Sequence, residues 1–174
     1  MRLRDAVDML AGSELVALGP MTWADLGCGS GTFTMALAGV LAAGSVIHAI
    51  DRDRSALRGI PSCHTGVRII PHCGEFTTLP WPFTGLDGIL MANSLHSVED
   101  QPAFIRSCDA QLKSPRHFLL VEYDTSEAGP WVPYPVNRSR AMRLFGDAGY
   151  HSVNVLRSRP SIYRRAPLYS LAAR

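Results

Sequence analysis

Strand-like and helix-like segments alternate along this chain of 174 residues. Short apolar runs rich in β-branched residues, such as SVIHAID and VRIIPH, predict strands, and segments with helical spacing lie between them. The strands are almost continuously apolar, which is typical of parallel strands covered on both faces. We therefore predict an α/β fold: a Rossmann-like, open, mostly parallel seven-stranded sheet with helices on both faces and the last strand antiparallel.

The length predicts a single domain over residues 1–174, with an N-terminal helix within residues 1–20 and a core over residues 21–174. The apolar spacing predicts that this first helix runs from Leu3 to Leu18. The first residues lack a signal-peptide pattern, and the four cysteines lack the spacing of a disulfide framework. We expect a cytoplasmic protein with reduced thiols and no membrane association.

A glycine-rich segment, ADLGCGSGTF over residues 24–33, follows the first predicted strand. Its glycines, Gly27, Gly29 and Gly31, have the spacing G-x-G-x-G, and the next residue is Thr32. A dinucleotide fingerprint needs G-x-G-x-x-G, and a phosphate-binding P-loop needs a lysine that is missing here. Neither phosphate-binding motif fits, so the pattern disfavours a nicotinamide oxidoreductase.

Together with the preceding acid Asp25, the segment DLGCGSG resembles the first motif of the class I S-adenosylmethionine-dependent methyltransferases, in their small-molecule branch. The resemblance extends from about Trp23 to the C-terminus. It includes Asp51 at the end of the second strand, the GEF segment with LP after it, and LMANSLHSVED after the fourth strand. It implies S-adenosylmethionine as the cofactor, S-adenosylhomocysteine as its product, and a small molecule as the methyl acceptor.

The resemblance also implies roles for residues at the carboxyl ends of the strands. Asp25 would face the ammonium group of the cofactor, and Asp51 would accept both ribose hydroxyls. Glu75 and Phe76 would meet the adenine. The predicted cofactor-binding residues are Asp25, Gly27, Cys28, Gly29, Gly31, Asp51, Arg52, Glu75, Phe76 and Asn93.

Methyl transfer from a sulfonium mainly requires alignment of donor and acceptor, and a general base helps where the acceptor is a hydroxyl. The candidate base is His96, just past the fourth strand, and the alternative is that it caps the following helix or packs beside the cofactor. The Asn/Asp/Ser-Pro-Pro-Tyr/Phe motif of amino methylation is absent there. Methylation of oxygen, carbon, sulfur and small amines stays open.

Aromatic and arginine side chains follow the fifth strand and could form an acceptor pocket. Glu122, Tyr123 and Asp124 end that strand, and Trp131, Tyr134, Asn137 and Arg138 follow on the connector after it; the main candidates among them are Tyr123, Trp131, Tyr134 and Arg138. The alternative is that Trp131 and Tyr134 only pin the loop to the body. Tyr163, Arg164 and Arg165 near the last turn could approach from the other side.

The net charge of +2 is unevenly distributed, because the segment from residue 131 onward carries eight arginines and one acid. A nucleic-acid methyltransferase that uses this segment as an electrostatic footprint is therefore an alternative. Another is a non-catalytic protein that binds the cofactor or its demethylated product. The short chain is also compatible with a homodimer in which a second subunit completes the site.

Two Cys-His neighbours, Cys63-His64 and His72-Cys73, invite a metal interpretation. Neighbouring residues in a strand point to opposite faces of the sheet, so His72 and Cys73 would have difficulty in binding one ion together. We expect no metal site.

Overall fold

The computed structural model of the protein describes residues 1–13, 15–160 and 166–174. The strands of this part of the chain are β1 Thr22–Leu26, β2 Val46–Asp51, β3 Cys63–His64, β4 Val67–Cys73, β5 Leu86–Ala92, β6 Leu112–Tyr123, β7 Val153–Arg159 and β8 Leu168–Ala173. The α-helices are α1 Leu3–Leu10, α2 Thr32–Ala38, α3 Arg54–Leu57, α4 Gln101–Asp109 and α5 Arg138–Asp147. One-turn 3-10 helices span Leu15–Leu18 and Leu95–Ser97.

The strands form one open sheet in the order β3-β4-β2-β1-β5-β6-β8-β7. Strands β4, β2, β1, β5 and β6 pair in parallel, and β8 is antiparallel to both of its neighbours, β6 and β7. The predicted fold class is therefore confirmed. The sheet has one strand more than predicted, because Cys63–His64 folds back on β4 through a turn at Thr65 and Gly66, both with positive φ. A strand of two residues is too short to show the alternation or apolar run by which strands are recognised in a sequence.

Helices cover both faces of the sheet, as predicted. One apolar cluster joins α1 and α2 to the sheet through residues such as Met9, Leu37 and Trp23. The other joins α4 and α5 to the opposite face, where Phe118 and Phe145 lie with their ring centroids 4.7 Å apart. The sheet is thus buried on both faces, which explains its near-continuous apolar strands.

The N-terminal segment differs from the prediction of one helix from Leu3 to Leu18. Helix α1 ends at Leu10, and the chain reverses at Gly12, whose φ of +90° suits glycine. A separate one-turn helix spans Leu15–Leu18. The apolar spacing continued across Gly12 because both pieces bury residues against the same cluster.

The order of the sheet fixes where a ligand can bind. From β1 the chain crosses to β2 on one side and later returns to β5 on the other, so β1 and β5 form a topological switch point. In open α/β sheets, ligands bind in the crevice at the carboxyl ends of the strands beside such a point. Among the described residues, no helix has the length and apolarity to cross a membrane.

Candidate functional site

The glycine-rich loop leaves the carboxyl end of β1 and leads into α2. Gly27, Gly29 and Gly31 have φ values of +77°, +53° and +83°. A Cβ atom on Gly27 would lie 2.6 Å from the Cβ of Ser94, a distance that real Cβ atoms do not show. The first glycine is therefore required both by its backbone conformation and by the close approach of the β5 end.

Asp51 ends β2 and holds this loop in place. One of its oxygens, Oδ2, accepts a hydrogen bond from the N–H of Gly29 at 2.7 Å, and the other, Oδ1, accepts from the N–H of Asp53 at 2.8 Å. Each carboxylate oxygen can accept a second bond, so the side chain can shape the loop and still receive ligand hydroxyls.

Asp25 lies at the carboxyl end of β1 and is fully buried. Its Oδ2 accepts a hydrogen bond from the Thr34 hydroxyl at 2.6 Å, while its Oδ1 has no partner in the described part of the chain. The pKa of Asp25 is raised to about 7, mainly by burial; the Thr34 hydrogen bond opposes the rise, and the charge of Asp51 adds to it. A cation beside this carboxylate would relieve the cost of burying its charge.

Two adjoining cavities open around the loop. One, of about 280 Å³, lies toward the ends of β2 and β4, and the other, of about 290 Å³, lies between the loop and the start of α2. Gly27 and Asn93 line both, and Asp25 lines the second. Asn93 has a φ of +56°, and its buried Oδ1 has no partner among the described residues. The second cavity is therefore lined by two residues with unpaired oxygen acceptors, which suits a ligand with a donor such as an ammonium group.

The loop after β4 closes the other end of the first cavity. The Phe76 ring is buried against Phe104, with centroids 5.8 Å apart, and its carbonyl accepts a hydrogen bond from the Trp81 indole at 2.8 Å. Glu75 Oε2 lies 3.7 Å from the exposed guanidinium of Arg52. Phe76 therefore gives this end of the cavity an aromatic wall, and Glu75 with Arg52 gives it a charged rim.

Cys28 lies in the glycine loop and is buried. Its N–H donates to the carbonyl of Ile50, and burial is the main cause that raises the pKa of its thiol. It is therefore a small apolar residue of the loop and not a nucleophile. Every predicted cofactor-binding residue lies at the same edge of the sheet.

His96 lies in the one-turn helix that follows β5, and it is paired with Glu122 of β6. The Nδ1 atom of His96 is 2.7 Å from Oε2 of Glu122, and the backbone N–H of His96 donates to Oε1 at 3.1 Å. Both side chains are buried, and Glu122 is only 1% exposed. The sequence analysis placed Glu122 at the end of this strand, on the edge where an acceptor pocket was expected, but did not pair it with His96.

The β6–α5 loop, residues 124–137, passes beside His96. The N–H of Tyr134 donates to the His96 carbonyl at 2.9 Å, and the Tyr134 carbonyl accepts from the buried side chain of Gln101 at 2.8 Å. Trp131 stands 81% exposed at the tip of this loop. The backbone of the loop is thus pinned next to His96 while its largest aromatic side chain faces solvent.

The remaining acceptor candidates lie at the two ends of that loop. Tyr123 is half-buried at the end of β6, and the guanidinium of Arg138 lies 3.6 Å from the carboxylate of Asp124. None of the four acceptor candidates lines the two cavities around the glycine loop. Tyr163, Arg164 and Arg165 lie outside the described residues.

The Cys-His pairs of the sequence do not converge. Cys63 and His64 pair with the start of β4, whereas His72 lies near its end and forms a 2.9 Å hydrogen bond with His48. Burial is the first cause that lowers the pKa of both of these histidines. Within the described ranges, no three side chains of the metal-binding types come together as a site.

Comparison with known proteins identifies the family. A family model described as a methyltransferase domain matches residues 24–114, which is more than half of the chain. The chain therefore belongs to this family, and it is a class I S-adenosylmethionine-dependent methyltransferase domain. No curated protein sequence gives a significant match.

Solved structures of low sequence identity share the fold. EvdMO1 is 19% identical with a TM-score of 0.69, and the match covers 98% of this chain but 41% of the EvdMO1 chain. The YcgJ protein from Bacillus subtilis is 12% identical with a TM-score of 0.69, and 98% and 97% of the two chains are covered. Magnesium protoporphyrin IX methyltransferase (ChlM) from Synechocystis PCC 6803, with bound S-adenosylmethionine, is 15% identical with a TM-score of 0.64 over 99% and 77%.

Proposed function

We propose that this domain transfers a methyl group from S-adenosylmethionine to a small-molecule acceptor. The single observation that carries the proposal is the pair of adjoining cavities at the switch point, lined by a glycine loop, a strand-end carboxylate and two unpaired buried oxygens. A ligand that combines an ammonium group, a ribose and an adenine matches these features from one end of the site to the other.

In this proposal the residues have separate tasks. The unpaired oxygens of Asp25 and Asn93 receive the ammonium of the methionine part. Each oxygen of the Asp51 carboxylate already accepts one hydrogen bond from a backbone N–H and can accept another, from a ribose hydroxyl. Glu75 and the Phe76 ring receive the adenine. The cofactor supplies the activated methyl group, and the chain orients it and keeps water away.

The acceptor is proposed to be small because three of the described arginines in the C-terminal segment are held in internal contacts. Arg138 pairs with Asp124, Arg140 donates to Gln101, and Arg159 lies 3.2 Å from Asp5. Arginines held in this way are poorly placed to meet phosphates. The magnesium protoporphyrin methyltransferase of the same fold is named for a small acceptor, which supports the same conclusion.

Isothermal calorimetry tests the cofactor proposal directly. We expect micromolar binding of S-adenosylmethionine and S-adenosylhomocysteine by the wild-type protein, and no binding of NAD. Asp51→Ala should weaken binding at least ~10-fold, because hydrogen bonds to a charged group are lost. Asp8→Ala, which removes an exposed acid of α1, is the matched control and should bind like the wild type.

Two results would contradict the proposal. Failure of the wild-type protein to bind either sulfur compound would remove the cofactor assignment. Binding of an RNA oligonucleotide that weakens steeply with added salt would transfer the acceptor assignment from a small molecule to a nucleic acid.

A further inference from the structure

The contact between His96 and Glu122 has a specific geometry. One carboxylate contacts two nitrogen atoms of the same residue: Oε2 lies 2.7 Å from the ring Nδ1, and Oε1 accepts from the backbone N–H. Glu122 lies in an otherwise apolar stretch of β6, where burying a charged group is costly unless it is fully paired. The hydrogen bond from the backbone N–H is enough to anchor the one-turn helix. The contact with the ring therefore has a separate effect, which is on the position of the ring proton.

That second bond selects the tautomer of His96. An ionised carboxylate only accepts hydrogen bonds, so the neutral ring must carry its proton on Nδ1 and a lone pair on Nε2. Nε2 forms no hydrogen bond with the described residues, and it is not among their buried unpaired atoms. The lone pair is therefore open to a ligand.

The neighbouring residues place His96 beside the cofactor cleft. Ser94 and Ser97, on either side of it in the chain, line the first cavity. The β6–α5 loop also contacts this residue, through the hydrogen bond from the Tyr134 N–H to the His96 carbonyl. His96 thus adjoins both the cofactor cleft and the loop on which we expected acceptor contacts.

We propose that Glu122 is a positioning residue that holds His96 with Nε2 unprotonated, and that His96 removes the proton from a hydroxyl acceptor. The inference rests on the proposed function and names the chemical class of its acceptor. A hydroxyl is a weak nucleophile until it loses its proton, which is the situation in which a buried, oriented base is useful.

The transfer step balances in atoms and charge. The acceptor oxygen forms a bond to the methyl carbon while the carbon–sulfur bond breaks, and the electron pair of that bond stays on sulfur. The hydroxyl proton moves to Nε2 of His96, and the imidazolium that results lies against the carboxylate of Glu122. The proton then leaves to solvent, which restores the neutral ring.

Tyr169 is an ionisable group whose pKa is affected by burial and by the charge of Glu122. On β8, the hydroxyl of Tyr169 donates to the carbonyl of Val136, and burial, followed by the charges of Glu122 and Asp124, raises its pKa. Asp124 is paired with Arg138. Tyr169 therefore stays neutral, and the carboxylate of Glu122 is the charge in direct contact with His96.

Glu122→Gln gives a sharp test because the amide has one acceptor where the carboxylate has two. The backbone N–H of His96 can only donate, so it pairs with the amide oxygen and leaves the amide NH₂ facing Nδ1. The ring must then accept at Nδ1 and carry its proton on Nε2, where it cannot act as a base. Nitrogen NMR of ¹⁵N-histidine-labelled protein with bound S-adenosylhomocysteine measures this change.

We expect the Nδ1–H tautomer for His96 in the wild type and the Nε2–H tautomer in Glu122→Gln. A wild-type ring protonated on Nε2, or an unchanged tautomer in the variant, would overturn the positioning role. Glu122→Asp is the second variant, since it keeps two acceptor oxygens and should retain the wild-type tautomer even where its shorter reach weakens the contact.

Methyl transfer to phenol, thiophenol and aniline, three probes that share a ring, tests the acceptor class. Phenol should be methylated with a kcat that falls ~10²–10⁴-fold in His96→Gln and in Glu122→Gln, and the double variant should be no slower than His96→Gln. Transfer to thiophenol or aniline that is insensitive to both variants, with no transfer to phenol, would overturn the proposal. If the wild type methylates none of the three, the tautomer comparison decides alone.

Calorimetry separates this proposal from the previous one. Binding of S-adenosylmethionine should stay within about twofold of wild type in both variants, because neither residue lines the cofactor cavities. If the wild-type protein does not bind S-adenosylmethionine, the proposed function is wrong. If it binds normally and the His96 tautomer is the same in Glu122→Gln as in the wild type, only the role of Glu122 is wrong.

Discussion

The cofactor side of the cleft is centred on one short segment that forms a recognisable motif, whereas the central pair of the acceptor side joins two separate strand ends. On the cofactor side, the loop Gly27–Gly31 and Asp25 form that segment, and the carboxylate of Asp51 accepts a hydrogen bond from the Gly29 N–H. On the acceptor side, His96 pairs with Glu122, 26 positions away. A local segment can be recognised as a motif, but a pair across the sheet needs the fold. The two sides should therefore fail in different ways when altered.

Gly27→Ala should give the largest effect, and the local damage should be confined to the cofactor side of the cleft. The added Cβ meets Ser94 at 2.6 Å, and the residue must keep a positive φ. Strain and overpacking together should lower the free energy of unfolding by about 2–6 kcal/mol and weaken S-adenosylmethionine binding by more than ~100-fold. Urea unfolding and calorimetry measure the two effects.

Gly12→Ala is the matched control for that change. Its φ is +90°, and an added Cβ would meet no atom within 4 Å. Gly12→Ala should therefore lower the free energy of unfolding only through its unfavourable φ, with no steric clash. It should leave cofactor binding unchanged. Equal losses in the two variants would mean that Ser94 does not restrict the loop.

Asp25→Asn should give an intermediate effect that depends on pH. Folding raises the pKa of Asp25 from 3.8 to about 7, so its contribution to stability is full below pH 4 and is lost as the pH rises to about 7. Asparagine cannot ionise. Relative to the wild type, the ligand-free variant should gain about 3 kcal/mol in free energy of unfolding between pH 5 and pH 8. Parallel pH curves for the two proteins would show that Asp25 is not held neutral.

Gln101→Leu should give the smallest effect, and it should loosen only the acceptor side of the cleft. The buried amide holds the Tyr134 carbonyl and accepts from Arg140, and losing these bonds should cost about 1–3 kcal/mol. Hydrogen exchange at the Tyr134 amide should speed up ~10-fold, with no change at Gly29 and no change in cofactor affinity. Faster exchange at both amides would mean that the two sides form one cooperative unit.

The fold was predictable because its strands are covered on both faces and alternate with helices. The deviations arise where local patterns are too short or mislead, as in the two-residue strand Cys63–His64 and in the break at Gly12. Helical spacing of apolar residues continued across that glycine, since both flanking pieces pack on one cluster.

The cofactor side was predictable from Asp25, Gly27 and Asp51, because their spacing is local and their strand ends meet at one edge. The acceptor side was only partly predictable. Glu122 follows the apolar run FLLV at the end of the fifth predicted strand, and this position indicated the acceptor side, but the sequence does not say which residue it meets. The partner follows from the parallel pairing of β5 and β6, which brings the two strand ends together.

The loop of residues 124–137 is anchored by hydrogen bonds at its ends and at Tyr134. Near one end, the Asn137 side chain caps α5 and donates to the Ser126 hydroxyl, and Asp124 holds the first turn of the helix. At the tip, Val132 is only 1% exposed and is bridged to Gly129, while its neighbour Trp131 is 81% exposed. The tip therefore presents one large aromatic side chain on an anchored turn, so the residue at position 131 can change while the backbone that presents it stays in place.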